Sequence, residues 1–592
     1  MGTLILLALL KAFTVVVMLG LNIAGLLTWA DRRQRAVIQD SIGPNRAVAF
    51  LPAHVVKALV GAPAVLVAGA VIALQLVAPP DAGGRTARAV VLSQLFILVG
   101  WLTLLGIGGA VRTRGVRSSF DAWVASAGDP RKFVYLGFAA HGVTALLGLS
   151  LRGTEIGRTL RDFGYGAGAF LLAGAVLGGA VYTIVHLRGD TVGLRVAGLL
   201  HPAADGLKSV FKEDFVPPNA DKFLHGLAPM ISLFPALVVM AVVPFGDTLC
   251  FGVGANDTLD LGRLAAYVPR DGVCSEGAVK LQALDLNVGI LYFFALAGTG
   301  IVGAALAGWA SNNKFSLLGG LRAASQMVSY EVTLGLTIVG CIMIYGTVRL
   351  DEMVRWQVEH GWGIFVQPFA FVLFLTAAIA ESKRIPFDMP EGESEIVAGY
   401  YTEYSGMKFA MFFFAEYVAI VTASALVVVL FLGGWHVPFL DRAGLHVAVG
   451  GSVLFSQPLP HAVVILLGFL GFVLKVVGMC WVQLTIRWTL PRFRYDQLMQ
   501  LGWRKLLPAS LLNILVTALV VLALQQASGT VQSALRTLGD ATHALVAALG
   551  LVGAIAFFRL LLSPARKRRF LETSAARYAA SRGGTRSATM QA

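Results

Sequence analysis

The chain has 592 residues, of which 57% are hydrophobic and 14% are charged, and its formal net charge at pH 7 is +14. This composition excludes a disordered chain and is too apolar for an ordinary soluble protein. The basic residues lie in short loops and near the C-terminus, as in the cytoplasmic loops of membrane proteins, so the positive charge indicates membrane topology rather than binding to nucleic acid.

The first predicted element is a transmembrane helix over residues 3–30. A basic flank at residues 31–35 follows the apolar run, whereas a cleavable signal peptide has its basic residues first. We therefore expect this helix to be retained and to end in the cytoplasm. The turn signal Gly43-Pro44-Asn45 comes next, with Arg46 beside it as a fixed cation, although such a pattern taken alone is more often only a turn.

Apolar segments of spanning length recur along the rest of the chain. A membrane-spanning helix needs about 20 mostly apolar residues, and about thirteen segments meet this length. They cover residues 3–30, 55–78, 89–111, 133–151, 166–187, 224–245, 286–309, 324–346, 363–380, 407–433, 462–486, 506–525 and 541–562. We therefore predict an all-α fold, a polytopic bundle of transmembrane helices.

Charge favours one orientation of these helices. The loops on the side where the first helix ends are rich in arginine and lysine, whereas the opposite loops, 246–285 and 434–461, are poorer in basic residues. With an odd number of spans, the basic tail at residues 566–569 also falls in the cytoplasm, in agreement with the positive-inside rule. One cytoplasmic loop, residues 381–408, breaks this rule by being acidic, which argues that it has a function.

The chain contains four cysteines, and none belongs to a Cys-x-x-Cys pair. We therefore predict neither a metal site nor an iron–sulfur cluster in this chain. Cys250 and Cys274 share the loop 246–285, which lies on the outer side in this topology. That compartment is oxidising in a bacterium, so a disulfide between them is one prediction and two free thiols are the alternative.

Acidic, basic and apolar residues recur at helical spacing in residues 201–214, a segment that is too polar to span a membrane. An amphipathic helix at the cytoplasmic interface is the natural interpretation. Asp205 and Lys208 are neighbours on such a helix. A helix that only anchors the chain at the surface, without any chemistry, remains the alternative.

Two carboxylates lie inside apolar segments. Glu331 belongs to the segment 324–346, and Glu416 belongs to the segment 407–433. A carboxylate is hard to leave unpaired in lipid, so both side chains should face the interior of the bundle and mark a candidate ion path. A purely structural glutamate, held by hydrogen bonds, is the alternative.

The acidic loop, residues 381–408, carries six carboxylates in a place where basic residues are expected. They are Glu381, Asp388, Glu391, Glu393, Glu395 and Glu403. Pro386 and Pro390 preclude a regular helix here, and Arg384 and Asp388 can brace the bend. Carboxylates so close together cannot all ionise at low cost, so we expect coupled titrations, as a proton-handling loop requires. A solvated acidic loop is the alternative.

These motifs resemble those of one family, the H subunit of bacterial NADH-quinone oxidoreductase (respiratory complex I), whose mitochondrial counterpart is subunit 1. The resemblance covers most of residues 1–51 and 199–525. Its motifs are residues 42–46 (Ile-Gly-Pro-Asn-Arg), 204–208 (Ala-Asp-Gly-Leu-Lys), 211–214 (Phe-Lys-Glu-Asp), 283–287 (Ala-Leu-Asp-Leu-Asn), 307–312, 318–322, 329–332, 384–395, 402–408 and 490–499.

The resemblance implies a helical bundle whose cytoplasmic loops form the membrane side of a quinone cavity. It implies that one group of residues shapes the quinone path: Arg46, Arg384, Asp388, Arg492, Arg494 and Asp496. It implies that a second group couples quinone reduction to proton movement: Glu331, Glu391, Glu393, Glu395, Glu403 and Glu416. No redox cofactor is expected in this chain, because NADH, FMN and iron–sulfur clusters belong to partner subunits of the family.

The main departure from the family pattern is an inserted segment, residues 52–198, with four apolar segments. An even number of spans returns the chain to the cytoplasm, so the family topology survives. The chain then divides into a first helix with its turn motif (1–51), the inserted segment (52–198), the family core with seven spans (199–525), and an extra helix with a basic tail (526–592). Smaller departures are Asp31 in place of glutamate and Lys383 in place of a neutral residue.

The expected function is that of a membrane subunit of proton-translocating NADH-quinone oxidoreductase, in the bacterial inner membrane. The expected partners are the peripheral-arm subunits at the quinone site, neighbouring small membrane subunits, quinone and lipids, but not nucleic acid. One alternative is the related membrane subunit of a hydrogenase-type or other complex that NADH does not feed. A stand-alone ion transporter is less favoured, because such proteins show an internal repeat that this sequence lacks.

Overall fold

The computed structural model describes residues 22–38, 49–52, 191–194, 200–250, 252–253, 259–260, 278–449, 452–459, 461–526 and 541–550, together with positions 11, 20, 54–55, 58, 62, 539 and 552–553. The predicted spans 89–111, 133–151 and 166–187 lie outside these residues, as do Arg46 and Cys274. The chain divides into two units, Met1–Ala544 and Leu545–Ala592.

Six helices in the described part of the chain are long and apolar enough to cross a membrane. They are Lys222–Val242, Gly289–Ala310, Lys314–Tyr345, Gly406–Phe431, His461–Thr489 and Tyr495–Gln525. The prediction of a multi-pass helical membrane protein is therefore confirmed, whereas the total of about thirteen spans stays a prediction.

The helices that the structure describes include long ones of membrane-spanning length and shorter ones between them. In chain order they are α1 (Asn22–Ile38), α2 (His201–Phe211), α3 (Lys222–Val239), α4 (Gly289–Ala310), α5 (Lys314–Tyr345), α6 (Leu350–His360), α7 (Gly363–Val366), α8 (Pro368–Glu381), α9 (Glu393–Ile396), α10 (Gly406–Phe431), α11 (His461–Thr489), α12 (Tyr495–Gln500) and α13 (Leu507–Gln525). A π-helical turn, Leu501–Leu506, joins α12 to α13. A further short apolar helix runs over Ala541–Gly550.

Three helix boundaries differ from the prediction for local reasons. Helix α5 begins at Lys314 instead of 324, because the side chain of Asn313 accepts a hydrogen bond from the backbone N–H of Phe315 at 2.9 Å and caps the helix. Helix α1 continues through its basic flank to Ile38, since arginine is a good helix former. The predicted span 363–380 is two helices, because Pro368 lacks an N–H and starts α8.

Short antiparallel strands, which the sequence did not predict, occupy the loops between helices. Strand β1 (Ala49–Pro52) pairs with β2 (Thr191–Leu194), so the two ends of the inserted segment lie side by side. The other strands are β3 (Thr248–Cys250) paired with β6 (Ala278–Lys280), β4 (Gly252–Val253) paired with β5 (Leu259–Asp260), and β7 (Leu440–Asp441), β8 (Gly444–Val449) and β9 (Ser452–Pro458) in one sheet. The pairing of β1 with β2 brings residues at the two ends of the predicted insertion together, whereas the bounds of the insertion stay a prediction.

Helix α10 is the centre of the described bundle. In its most apolar 18-residue window, 78% of the residues are buried, a larger share than in any of the other five spans. It packs against helices α1, α3, α8 and α11. A polar side chain on α10 is therefore surrounded by protein and needs its partners within the bundle.

Candidate functional site

The acidic loop is an irregular bend that α5 and the segment after α11 hold in place. The side-chain amide of Gln326 donates hydrogen bonds to the carbonyls of Ala380 and Phe387, each at 2.7 Å. The Phe387 ring stacks on Phe493 with ring centres 5.3 Å apart. The backbone N–H of Phe493 also donates to the carbonyl of Pro386 at 3.1 Å. The absence of a helix over residues 382–392 agrees with the prediction from the two prolines.

Arg384 forms a buried ion pair with Glu416 on α10. The two side chains are 6% and 2% exposed, and the guanidinium nitrogen lies 2.6 Å from a carboxylate oxygen. The guanidinium group also lies over the Tyr417 ring, 4.9 Å from its centre. The hydroxyl groups of Tyr400 and Tyr401 donate hydrogen bonds to the same carboxylate. Arg384 therefore fixes the bend to α10 and does not pair with Asp388 inside the bend.

Asp388 pairs with the irregular segment between α11 and α12. Its carboxylate lies 3.0 Å from the guanidinium group of Arg492, and the residue is 1% exposed. The other carboxylate oxygen has no hydrogen-bond partner among the described residues. Burial raises the pKa of Asp388 to about 8, with a further contribution from the charge of Glu391, while Arg492 opposes the shift. A carboxyl group with such a pKa can hold or release a proton near neutral pH.

Asp388→Asn is expected to remove a pH dependence of stability. Between pH 3.8 and about 8, native Asp388 holds a proton that the unfolded chain has released, so the native state loses stability as the pH rises through this window. The temperature of thermal inactivation of the purified complex should therefore fall less steeply in the variant between pH 6 and 9. Asp214→Asn, at an exposed carboxylate paired with Lys408, should keep the wild-type slope. An unchanged slope in Asp388→Asn would contradict the prediction.

The other acids of the loop have separate partners. Glu395 lies 2.6 Å from the guanidinium group of Arg322 on α5, and Glu403 accepts a hydrogen bond from Asn313 at 2.6 Å. Glu391 is half-buried, and the side chain of Glu393 lies outside the described part of the structure. The loop is therefore not a freely solvated acidic segment, because neighbouring segments supply partners for three of its carboxylates.

The side chain of Glu331 faces Gly298 of helix α4. A Cβ atom added to Gly298 would lie 2.9 Å from a carboxylate oxygen of Glu331, so glycine leaves the space that this side chain fills. Within the described residues, Glu331 has no hydrogen bond or ion pair. It lies close enough to Glu381 for the two charges to interact. The Glu331 side chain thus lies between α5 and α4, and its orientation away from lipid stays a prediction.

A cavity of about 90 Å³ lies between helices α3, α4, α5, α8 and α10. Its walls are mostly apolar, with Phe293 and Phe374 among them. Polar groups that line it include Glu381, Lys383 and Glu416. Sequence reasoning did not find this cavity, because its walls come from five helices that only the fold brings together.

Only part of the segment after α11 belongs to the buried site. Of the predicted quinone-path residues, Arg492 reaches the buried Asp388. Arg494 and Asp496 instead pair with each other at 3.3 Å, and their side chains are 77% and 58% exposed. The Tyr495 ring lies beneath Arg322, with 5.6 Å from the guanidinium carbon to the ring centre. Arg384, Asp388 and Arg492 thus belong to one cluster, whereas Arg494 and Asp496 lie at the surface.

The predicted interface helix is present as α2. Asp205 forms an ion pair with Arg32 at 2.6 Å, which links α2 to α1, while Lys208 is exposed. None of the residues of α2 is buried, and Phe211 is 84% exposed. This helix lies on the surface of the bundle, and its position at the cytoplasmic interface stays a prediction.

Asp31 is a polar centre whose contacts the sequence did not predict. Its carboxylate lies 2.9 Å from Arg487 and accepts hydrogen bonds from the Trp488 indole N–H at 2.7 Å and the Tyr417 hydroxyl at 3.2 Å. The residue is 7% exposed. Asp31 thereby ties α1 to α10 and α11, next to the Arg384 pair. The sequence did contain a signal for this site, because Asp31 is an acidic residue within an otherwise basic flank.

The cysteines divide into two groups. Cys341 and Cys480 are buried free thiols. Cys250, at the end of β3, is disulfide-bonded. Its predicted partner, Cys274, lies outside the described residues, so the pairing itself stays a prediction. Among the described residues, no group of three or more His, Cys, Asp and Glu side chains could hold a metal ion.

Comparison with known proteins places most of this site in the matched region. A family model described as NADH dehydrogenase matches residues 183–518. An H subunit of NADH-quinone oxidoreductase from Geobacter sulfurreducens, the one numbered 1, is 45% identical over 325 residues, 55% of this chain and 82% of that protein. The NADH-quinone oxidoreductase H subunit of Flavobacterium psychrophilum is 43% identical over 326 residues, which are 55% of this chain and 84% of that protein.

Proposed function

Because this chain belongs to the NADH dehydrogenase family and is a membrane subunit of NADH-quinone oxidoreductase, we propose that its acidic loop receives the charge change of quinone reduction and passes it into the bundle. Quinone takes up two electrons and two protons when it becomes quinol. In this proposal Arg492 and Asp388 line the membrane side of the quinone cavity, together with Arg46, Arg384, Arg494 and Asp496. Electrons arrive from NADH through FMN and iron–sulfur clusters in partner subunits.

One observation carries this proposal, a continuous series of interacting charges. The Asp388 carboxylate interacts with Arg492, Glu391 and Glu416. Glu416 in turn interacts with Lys383, and Lys383 with Glu381. These charges lie in a largely buried region, where electrostatic interactions are stronger than in water. A change of charge at Asp388 therefore changes the energy of ionising Glu416.

The series continues into the apolar part of the bundle. Glu381 at the end of α8 interacts with Glu331 on α5. Ionisable residues at such a depth are costly and usually belong to an ion path. We infer that Glu331, Glu391, Glu393, Glu395, Glu403 and Glu416 form one coupled set, which carries the charge change into the bundle. Proton translocation is the function that this set supports best.

We also propose on which side of the membrane these segments lie. The acidic loop and α2 lie on the cytoplasmic side of a bacterial inner membrane, where the peripheral-arm subunits at the quinone site and small membrane subunits are the partners. The C-terminus is on the same side. The matches to NADH-quinone oxidoreductase subunits favour this function over a hydrogenase-type complex or a stand-alone transporter.

Glu395→Gln tests this function with little risk to the fold, because the Glu395 side chain is 48% exposed. The variant leaves Arg322 without its anionic partner and uncouples one carboxylate of the set. We expect NADH-driven quinone reduction in membranes to fall about tenfold, which corresponds to about 1.4 kcal/mol. NADH oxidation by ferricyanide, which takes electrons before they reach quinone, should stay unchanged.

The matched control is Glu359→Gln, which neutralises an exposed glutamate on α6. This control should keep the wild-type rate of quinone reduction. Wild-type quinone reduction and wild-type proton pumping in both Glu395→Gln and Asp388→Asn would overturn the proposed function.

A further inference from the structure

Lys383 has an unusual backbone conformation at the start of the acidic loop. Its φ angle is +56°, in the left-handed region that glycine adopts readily and other residues rarely do. Its backbone N–H donates to the carbonyl of Ala380 at 3.3 Å. A lysine in this conformation is strained, and it lies just after the end of α8.

The Lys383 side chain lies among carboxylates in the interior. It lines the cavity together with Glu381 and Glu416. Its ammonium nitrogen is 3.4 Å from the Tyr400 hydroxyl, which in turn donates to Glu416 at 3.3 Å. Glu416, Glu391 and Glu381 attract this ammonium group, whereas Arg384 repels it. The charged groups around Lys383 are therefore mainly acidic and come from α8, α10 and the loop itself.

The cavity is large enough to hold water at this point. A buried water needs at least about 10–15 Å³ of accessible space, so about 90 Å³ has room for more than one water. A water also needs polar partners. The Ser232 hydroxyl, which is buried without a hydrogen-bond partner among the described residues, lines the cavity with Thr422 and Ser382. Water between Glu381 and Glu416 is therefore consistent with both the volume and the lining.

We propose that Lys383 is a further positioning residue of the proton-coupling route, whose ammonium group compensates the negative charge shared by Glu381 and Glu416 while a proton passes between them through cavity water. The proton leaves one carboxyl group and is taken up by the other carboxylate, so the total charge in the cavity does not change. Lys383 keeps its own protons throughout. This inference rests on the proposed function, because it adds a cation to the same coupled set.

Lys383→Met tests this role in membranes that contain the assembled complex. Methionine keeps much of the length and volume of lysine but removes the positive charge. Without the ammonium group the carboxylates are harder to ionise, so the pH profile of NADH-driven quinone reduction should move upward by about one pH unit. The rate at pH 7 should fall about tenfold. Lys383→Arg, which retains the charge, should restore the wild-type profile and at least half of the rate.

Two further variants separate this role from a structural one. Lys314→Met, at an exposed lysine that starts α5, should leave the rate and the pH profile unchanged. If Lys383→Met assembles poorly, the pH profile is measured instead in Lys383→Gln, which also removes the positive charge but keeps a polar side chain. A lost rate without a displaced pH profile in the variant that assembles would indicate a structural role and overturn the inference.

The outcomes also distinguish this inference from the proposed function. If Glu395→Gln slows quinone reduction but Lys383→Met keeps the wild-type rate and pH profile, only the inference about Lys383 fails. If neither Glu395→Gln nor Asp388→Asn has an effect, the proposed function fails, whatever Lys383→Met does.

Discussion

Arg384→Met is expected to abolish NADH-driven quinone reduction and to lower the amount of assembled complex in the membrane. The variant leaves the carboxylate of Glu416, a residue that is 2% exposed, without its closest cation. Removing one partner of a buried ion pair costs about 3–5 kcal/mol, because the remaining charge stays buried and unpaired. The hydroxyl groups of Tyr400 and Tyr401 still donate to Glu416 but carry no compensating charge. Native gels of solubilised membranes and the rate of quinone reduction measure the two effects.

Two variants control for the loss of an arginine side chain. Arg355→Met removes a 44% exposed arginine that lies 3.9 Å from Asp247, an ion pair worth at most about 1 kcal/mol, so assembly should stay normal. Arg384→Met/Glu416→Leu removes both buried charges, and it should assemble better than Arg384→Met alone. Normal assembly of Arg384→Met, together with no gain in the double variant, would contradict a stabilising pair at this position.

The partners of the acidic loop could not be predicted from the sequence, although its bend could. Pro386 and Pro390 act locally, since each lacks a backbone donor and restricts its neighbour, so the broken helix follows from two residues. The partners of Arg384 and Asp388 are Glu416 and Arg492, which belong to later parts of the chain. Pairing over such separations depends on how the helices pack, and the sequence offers many other basic and acidic residues of equal chemistry.

The presence of a membrane-spanning helix was also easier to predict than the residues at which it begins and ends. The apolar composition of α10 and α11 is sufficient to identify a span, because the hydrocarbon core requires about 20 apolar residues. The start of α5 depends instead on one side chain, Asn313, which caps a helix that continues through charged residues. Hydropathy does not detect such a cap, and the early start of α5 is what brings Arg322 next to Glu395.

Asp31 is a site residue that the hydropathy pattern does not identify. It lies in a basic flank, where the positive-inside rule accounts for the arginines but not for the carboxylate. Its contacts with Trp488 and Tyr417 depend on the packing of α1 against α10 and α11. The local sequence therefore shows that Asp31 is unusual, whereas only the fold identifies the residues that it contacts.

Gly399→Ala is expected to be the most disruptive small substitution in the acidic loop. Gly399 has a φ angle of +55°, and a Cβ atom at this position would collide with the carbonyl oxygen of Pro390. No rotamer change can relieve this contact, because both atoms belong to the backbone or are fixed by it. A Cβ atom on the facing Gly319 of α5 would likewise lie 2.6 Å from the Gly399 Cα, so the loop cannot move away from Pro390 freely.

The loop must therefore rebuild over Gly399 to Tyr401, and the Tyr400 and Tyr401 hydroxyls lose their position beside Glu416. We expect a cost of about 3 kcal/mol or more, with little assembled complex and no quinone reduction. Gly335→Ala is the matched control, since no atom lies within 4 Å of its added Cβ and alanine in a helix interior is favoured over glycine by about 0.5–1 kcal/mol. Equal assembly of the two alanine variants would show that the loop does not need the left-handed glycine, and would remove the backbone basis for placing Tyr400 between Lys383 and Glu416.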